Sequence, residues 1–203
     1  EDAVAALEYL ATQVPGVDPQ RIGLYGTSFG GGIAALAAAR SPRPRAVVLS
    51  VPVMSGSQWM QSVHRWYEFR EIRRRGLAAV AHKAATGEVE LCERLDIMAP
   101  EPQSLVRYAE KTPISMETVW HLLQHEPMDH AHRIQAPVYL FGADDDTVVP
   151  CDQTRQFYER VVTEKQLEIF PTGNHWVVYD EGLPRVAEAT ARWFKQHMGL
   201  LTT

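Results

Sequence analysis

Residues 26–30 read Gly26-Thr27-Ser28-Phe29-Gly30, a serine with a glycine two positions away on either side. That spacing suits one chemistry in particular, a hydroxyl exposed on a sharp turn and able to attack a carbonyl carbon. Gly26 and Gly30 are expected to remove side chains that would collide across the turn, and Ser28 to take a strained backbone conformation. A serine of this kind needs a base, and the base needs an orienting carboxylate. Three carboxylates lie together in Asp144-Asp145-Asp146, and His175 stands in Pro171-Thr172-Gly173-Asn174-His175-Trp176. At least one of the three Asp residues is expected to serve a solvated turn or a helix cap instead.

The elements that must position these residues are legible around them. Ile22-Gly23-Leu24-Tyr25 is a short apolar run of the kind found in a strand buried on both faces, and the Gly- and Ala-rich stretch from Phe29 to Arg40 reads as a helix closed by Ser41-Pro42. Ala46-Val47-Val48-Leu49-Ser50 is a second buried strand, so strand, helix and strand form a parallel crossover unit. At that turn the backbone N–H of Phe29 sits at the positive end of the helix, where it would face an oxyanion. The unit resumes with a strand at 137–142, which puts the Asp run at its C-terminal edge, where parallel sheets bind ligands. A helix from about Asp152, a fourth strand at 167–170 leading to His175, and a last helix starting near Pro184 complete it. An opening helix with Val4, Leu7, Ala11 and Val14 on one face precedes the first strand. Between the second and third strands, residues 55–133 read as a mostly helical insertion. The predicted class is α/β, a mostly parallel sheet flanked by helices, with a core at 1–54 and 134–203.

The glycine-rich turn has three other possible meanings. Gly30-Gly31-Gly32-Ile33-Ala34-Ala35 meets the loose dinucleotide pattern, but its glycines fall inside the helix, and no Asp or Glu lies between Asp18 and Glu68 to hold a ribose. A phosphate loop fails for want of the Gly-Lys-Ser/Thr ending, and a packing turn without chemistry is the remaining alternative.

Composition narrows the class. With 45% hydrophobic and 22% charged residues, the 203-residue chain can bury a core and is not disordered as a whole. A net charge of −5 opposes a phosphate backbone, so nucleic acid is a poor partner, and the absence of eighteen consecutive apolar residues leaves no membrane span. Cys92 and Cys151 are too few for a disulfide scaffold and mildly favour the cytoplasm.

The motifs Gly26 through Gly32, Phe141 through Pro150 and Gly173 through His175 together resemble the α/β-hydrolase superfamily, above all its dienelactone-hydrolase-like and prolyl-oligopeptidase-like branches. The order serine, acid, histidine is the order that fold uses. In those branches the acid stands three residues after the strand-ending glycine and five before the proline of a Val-Pro pair, which the resemblance places at Asp145, with Asp146 and Asp144 behind it. It implies a serine hydrolase, esterase rather than peptidase, that attacks an ester or thioester of a small-molecule acyl substrate and needs no metal or organic cofactor. Transfer of the acyl group to another acceptor, and a binding module that keeps these residues without using them, are the alternatives.

The family builds several strands before the nucleophile strand, and one of their loops gives a second oxyanion N–H. Only 27 residues precede Ser28, so the expectation is the C-terminal portion of a longer hydrolase, its second donor coming from an upstream segment or a second subunit. Trp59, Trp66 and Trp176 are candidate substrate contacts, the first two in a helical cap. His121, His125, Asp129, His130 and His132 have ligand-like spacing without the Glu of the zinc motif, and polar lining is the favoured meaning. Arg70, Arg73, Arg74 and Arg75 read as a solvated helix face, with contact to an acidic substrate as the alternative.

Overall fold

In a computed structural model, which describes residues 1–93, 97 and 113–199, four strands form one parallel sheet. They are β1 (Gly23–Thr27), β2 (Ala46–Ser50), β5 (Val138–Ala143) and β6 (Lys165–Phe170), in the spatial order β1-β2-β5-β6. Leu24 pairs with Val47, Val48 with Tyr139, and Leu140 with Leu167. The predicted α/β fold is therefore present, and each expected strand lies within two residues of its observed bounds.

The continuous apolar runs of β2 and β5 follow from burial on both faces. Side chains alternate along a strand, so Val47, Leu49, Val138 and Leu140 point to one side and Ala46, Val48, Tyr139 and Phe141 to the other. The first side is covered by α2 (Phe29–Arg40), through Ala34, Ala35 and Ala38, and by α6 (Cys151–Arg160), through Phe157. Alanine and glycine in α2 let that helix lie close to the strands. The second side is covered by α7 (Leu183–His197), through Val186, Ala189 and Trp193. Helix α1 (Asp2–Gln13) adds Leu7 to a small cluster with Ile22 and Ala37.

The chain divides into two compact units, Glu1–Met54 with Pro127–Thr203, and Ser55–Glu126. The insertion thus ends at 126 and not at 133. The reason is the 3-10 helix Pro127–Arg133, whose Met128 and Ala131 pack with Met54, Ala34 and Ile134 in the core of the sheet unit. The helices described within this unit are α3 (Gly56–Ser62), α4 (Trp66–Thr86) and α5 (Thr118–Leu123). Gly76 of α4 lies so close to Val119 of α5 that a Cβ would stand 2.7 Å from the valine Cβ. A pair of three-residue antiparallel strands, β3 (Leu91–Glu93) and β4 (Pro113–Ser115), was not expected. The rest of the predicted insertion, at 94–96 and 98–112, falls outside the described residues.

Candidate active site

Strand β1 ends at Thr27 and α2 begins at Phe29, which leaves Ser28 to make the whole turn with φ 54° and ψ −126°. Left-handed backbone is strained for any residue with a Cβ and is kept only where the surroundings enforce it. Gly26 leaves room for that turn, since a Cβ there would run into the carbonyl of Gly30 and stand 2.8 Å from Gly31 Cα. The expectation for Gly30 fails. It faces out of α2, and a Cβ on it would meet nothing within 4 Å. The second steric requirement falls on Gly31, where a Cβ would stand 2.7 Å from the Pro52 Cβ.

Pro52 belongs to a loop that sequence reasoning passed over. Val51, directly after β2, has φ 41°, and with Ser28 it makes up the non-glycine residues of positive φ among those described. For a β-branched side chain this is a marked outlier. The Ser28 N–H donates to the Ser50 carbonyl at 2.9 Å, and the Ser28 carbonyl accepts from both Gly31 N and Val53 N at 3.0 Å. The strained turn and the strained loop therefore hold each other.

His175 is buried in the loop after β6, and its two ring nitrogens face two different partners. Nε2 lies 3.1 Å from Ser28 Oγ, and Nδ1 lies 2.8 Å from Asp146 Oδ2. An ionised carboxylate can only accept, so Nδ1 carries the ring proton and Nε2 is left to accept from the serine hydroxyl. The other Asp146 oxygen, Oδ1, accepts from Val148 N at 2.9 Å and Val149 N at 2.7 Å. With 0% of its side chain exposed, Asp146 has all its observed partners inside the protein.

The carboxylate that meets His175 is thus Asp146, and not the expected Asp145. The strand runs one residue past Gly142 to Ala143, and the Asp146 N–H returns to the Ala143 carbonyl at 3.3 Å, so the tight turn presents residue 146 inward. Asp145 stays exposed, and its backbone N–H donates to the Gly173 carbonyl at 3.1 Å, which joins the acid loop to the histidine loop. Asp144 is exposed and pairs with Arg155.

Trp176 is half-buried and meets the His175 ring edge-on, with centroids 5.6 Å apart. In the inserted unit, Trp59 is buried and Trp66 exposed, its ring 6.0 Å from that of Phe69. Cys151 is packed beneath Gly142, and burial pushes its thiol up to about 11, the state of an inert side chain. His130 and His132 lie on the 3-10 helix, and among the described residues no three His, Cys, Asp or Glu side chains gather as a metal ion would require. Nor is any described helix long and apolar enough to cross a membrane.

The sequence pattern of the family described as serine aminopeptidase, S33, matches residues 1–182. The chain belongs to that family of α/β hydrolases. This S33-family hydrolase is 29% identical to an Escherichia coli protein described as an uncharacterized 31.7 kDa protein in the traX-finO intergenic region, over 98% of this chain and 72% of the relative. It is 24% identical to the polyketide transferase claH of Penicillium crustosum, over 98% of this chain and 71% of that protein. Among solved structures, the α/β hydrolase GrgF from Penicillium sp. sh18 superposes with a TM-score of 0.76 at 20% identity, over 96% of this chain and 70% of the other, a likeness of fold.

Proposed function

We propose that this hydrolase cleaves an ester, thioester or similar acyl bond with Ser28 as nucleophile, His175 as general base and Asp146 as the carboxylate that orients the base. The observation that carries the reading is the unbroken pair of hydrogen bonds from Asp146 through His175 to Ser28 on its strained turn. In the first step Ser28 Oγ bonds to the acyl carbon while its proton passes to His175 Nε2. Asp146 stabilises the imidazolium, and the Phe29 N–H at the start of α2 faces the developing oxyanion. Collapse expels the alcohol or thiol, which takes the proton from Nε2, and leaves an acyl-serine. Water activated by the same nitrogen then releases the acid and restores the hydroxyl. Trp176, beside His175, is the aromatic we assign to the substrate side.

A second reading, transfer of the acyl group to an acceptor other than water, is favoured by the likeness to a polyketide transferase. Both share the acyl-serine. A fluorophosphonate should label Ser28 in the full-length protein and leave Ser28→Ala unlabelled, and that substitution should lower turnover of p-nitrophenyl butyrate by about four to six orders of magnitude. Absence of labelling in the native protein would overturn both readings. An aminoacyl p-nitroanilide turned over faster than the ester would move the substrate class to peptides.

A further inference from the structure

We propose that Gln153 is a positioning residue for Ser28, acting through the strained loop that supports the serine backbone. The inference rests on Ser28 being the nucleophile. Gln153 stands in the first turn of α6, is 3% exposed, and accepts the Met54 N–H on its side-chain oxygen at 2.9 Å, across 99 residues of sequence. Its own backbone N–H donates to the Pro150 carbonyl at 3.0 Å, which ties its backbone to the segment that follows Asp146. At the far end of the bond, Met54 is fully buried and its carbonyl accepts from Met128 N at 2.8 Å. Between Met54 and β2 lie Val51 at φ 41°, Pro52 against Gly31, and Val53, whose N–H reaches the Ser28 carbonyl.

A loop that contains a valine with positive φ keeps that shape only under constraint from both sides. Val51 is held at its β2 end by its N–H to the Phe141 carbonyl at 2.8 Å. On the other side, Met54 is held by the Gln153 oxygen and by Met128. Without the Gln153 oxygen, a buried N–H is left without its acceptor, and the loop gains from rotating it elsewhere. Val51 then relaxes toward an ordinary φ, Val53 withdraws from the Ser28 carbonyl, and the Oγ drifts from His175 Nε2. One side chain in this way links the acid loop to the nucleophile turn.

Gln153→Met keeps the volume and removes the acceptor, whereas Gln153→Glu keeps an acceptor oxygen. For Gln153→Met the expected result is a loss of about ten- to a hundredfold in kcat and in the rate of fluorophosphonate labelling, the range a misplaced reacting group produces. KM should stay near the wild-type value, and Gln153→Glu should recover most of the loss. Amide hydrogen exchange at Val53 should quicken in Gln153→Met and not in Gln153→Glu, a readout that needs no catalysis. A folded Gln153→Met with wild-type labelling and Val53 exchange would overturn the proposal, as would a rise in KM at constant kcat. If Gln153→Met does not fold, Gln153→Glu decides: near-native kcat and exchange support the proposal, and a folded variant as slow as Ser28→Ala overturns it. A native protein that is never labelled refutes the nucleophile reading instead, and Val53 exchange then still tests the clamp.

Discussion

Asp146 and His175 are joined by one carboxylate oxygen on Nδ1 at 2.8 Å while the second carboxylate oxygen is taken up by two backbone N–H groups. The carboxylate is therefore fixed in its plane as well as charged, and the imidazole it faces has one tautomer and one orientation. Asp146→Asn would present either an amide oxygen in a weaker bond or an N–H that forces the ring into the wrong tautomer. We expect it to lower kcat for ester turnover by about 10⁴. Asp145→Asn, on an exposed side chain, should leave kcat near wild type, so steady-state kinetics of the two variants separate neighbouring positions.

The glycines around the serine should not be equivalent. Gly26→Ala and Gly31→Ala place a Cβ against the Gly30 backbone and against Pro52, and should lower the melting temperature and the labelling of Ser28 together. Gly30→Ala meets nothing and lies in α2, so it should match the wild type or gain up to about 1 kcal/mol of stability, because alanine loses less backbone entropy in a helix. Thermal melts of the three variants check this.

Glu168 offers a pH test. Hydrogen bonds from Arg185, at 2.7 and 2.8 Å, and from the Tyr139 hydroxyl at 2.8 Å hold its carboxyl below the ordinary glutamate value. A lowered folded value means that the group stabilises the native state above the unfolded value of about 4.3 and stops doing so as pH falls through the folded one. The stability difference between wild type and Glu168→Gln should be largest near neutral pH and shrink in acid, as read by urea denaturation at several pH values.

Cys151, with its thiol raised to about 11 chiefly by burial, should resist iodoacetamide at pH 8 in the native protein and react on denaturation. Mass spectrometry after quenching gives the answer directly, and native alkylation at the rate of a free thiol would contradict the packing beneath Gly142.

How far the sequence reached follows from what each feature depends on. Strands β2 and β5 were readable because burial on both faces leaves a continuous apolar run, and the serine turn because its glycine stands where backbone meets backbone. The carboxylate facing His175 lies one position beyond the one that the resemblance's spacing from Gly142 and Pro150 reaches, because β5 runs on to Ala143 and the turn after it brings residue 146 inward. Gly30 and Gly31 exchange roles because the obstacle, Pro52, comes from a loop more than twenty residues away. Val51 and Gln153 carried no sequence signal at all, since a positive φ on valine and a bond across 99 residues exist only once the sheet is assembled. The short β3 and β4 strands have too few residues to show alternation.

The bond from Met128 N to the Met54 carbonyl has a bearing on how such a chain can vary. Residues 55–126 leave the core at one side of this bond and return at the other, so the two ends of the whole segment are already neighbours. Closing a loop across so short a gap depends only weakly on the loop's length. The position is therefore a natural splice point: segments of very different size can be exchanged here while β2, β5 and the residues around Ser28 keep their spacing.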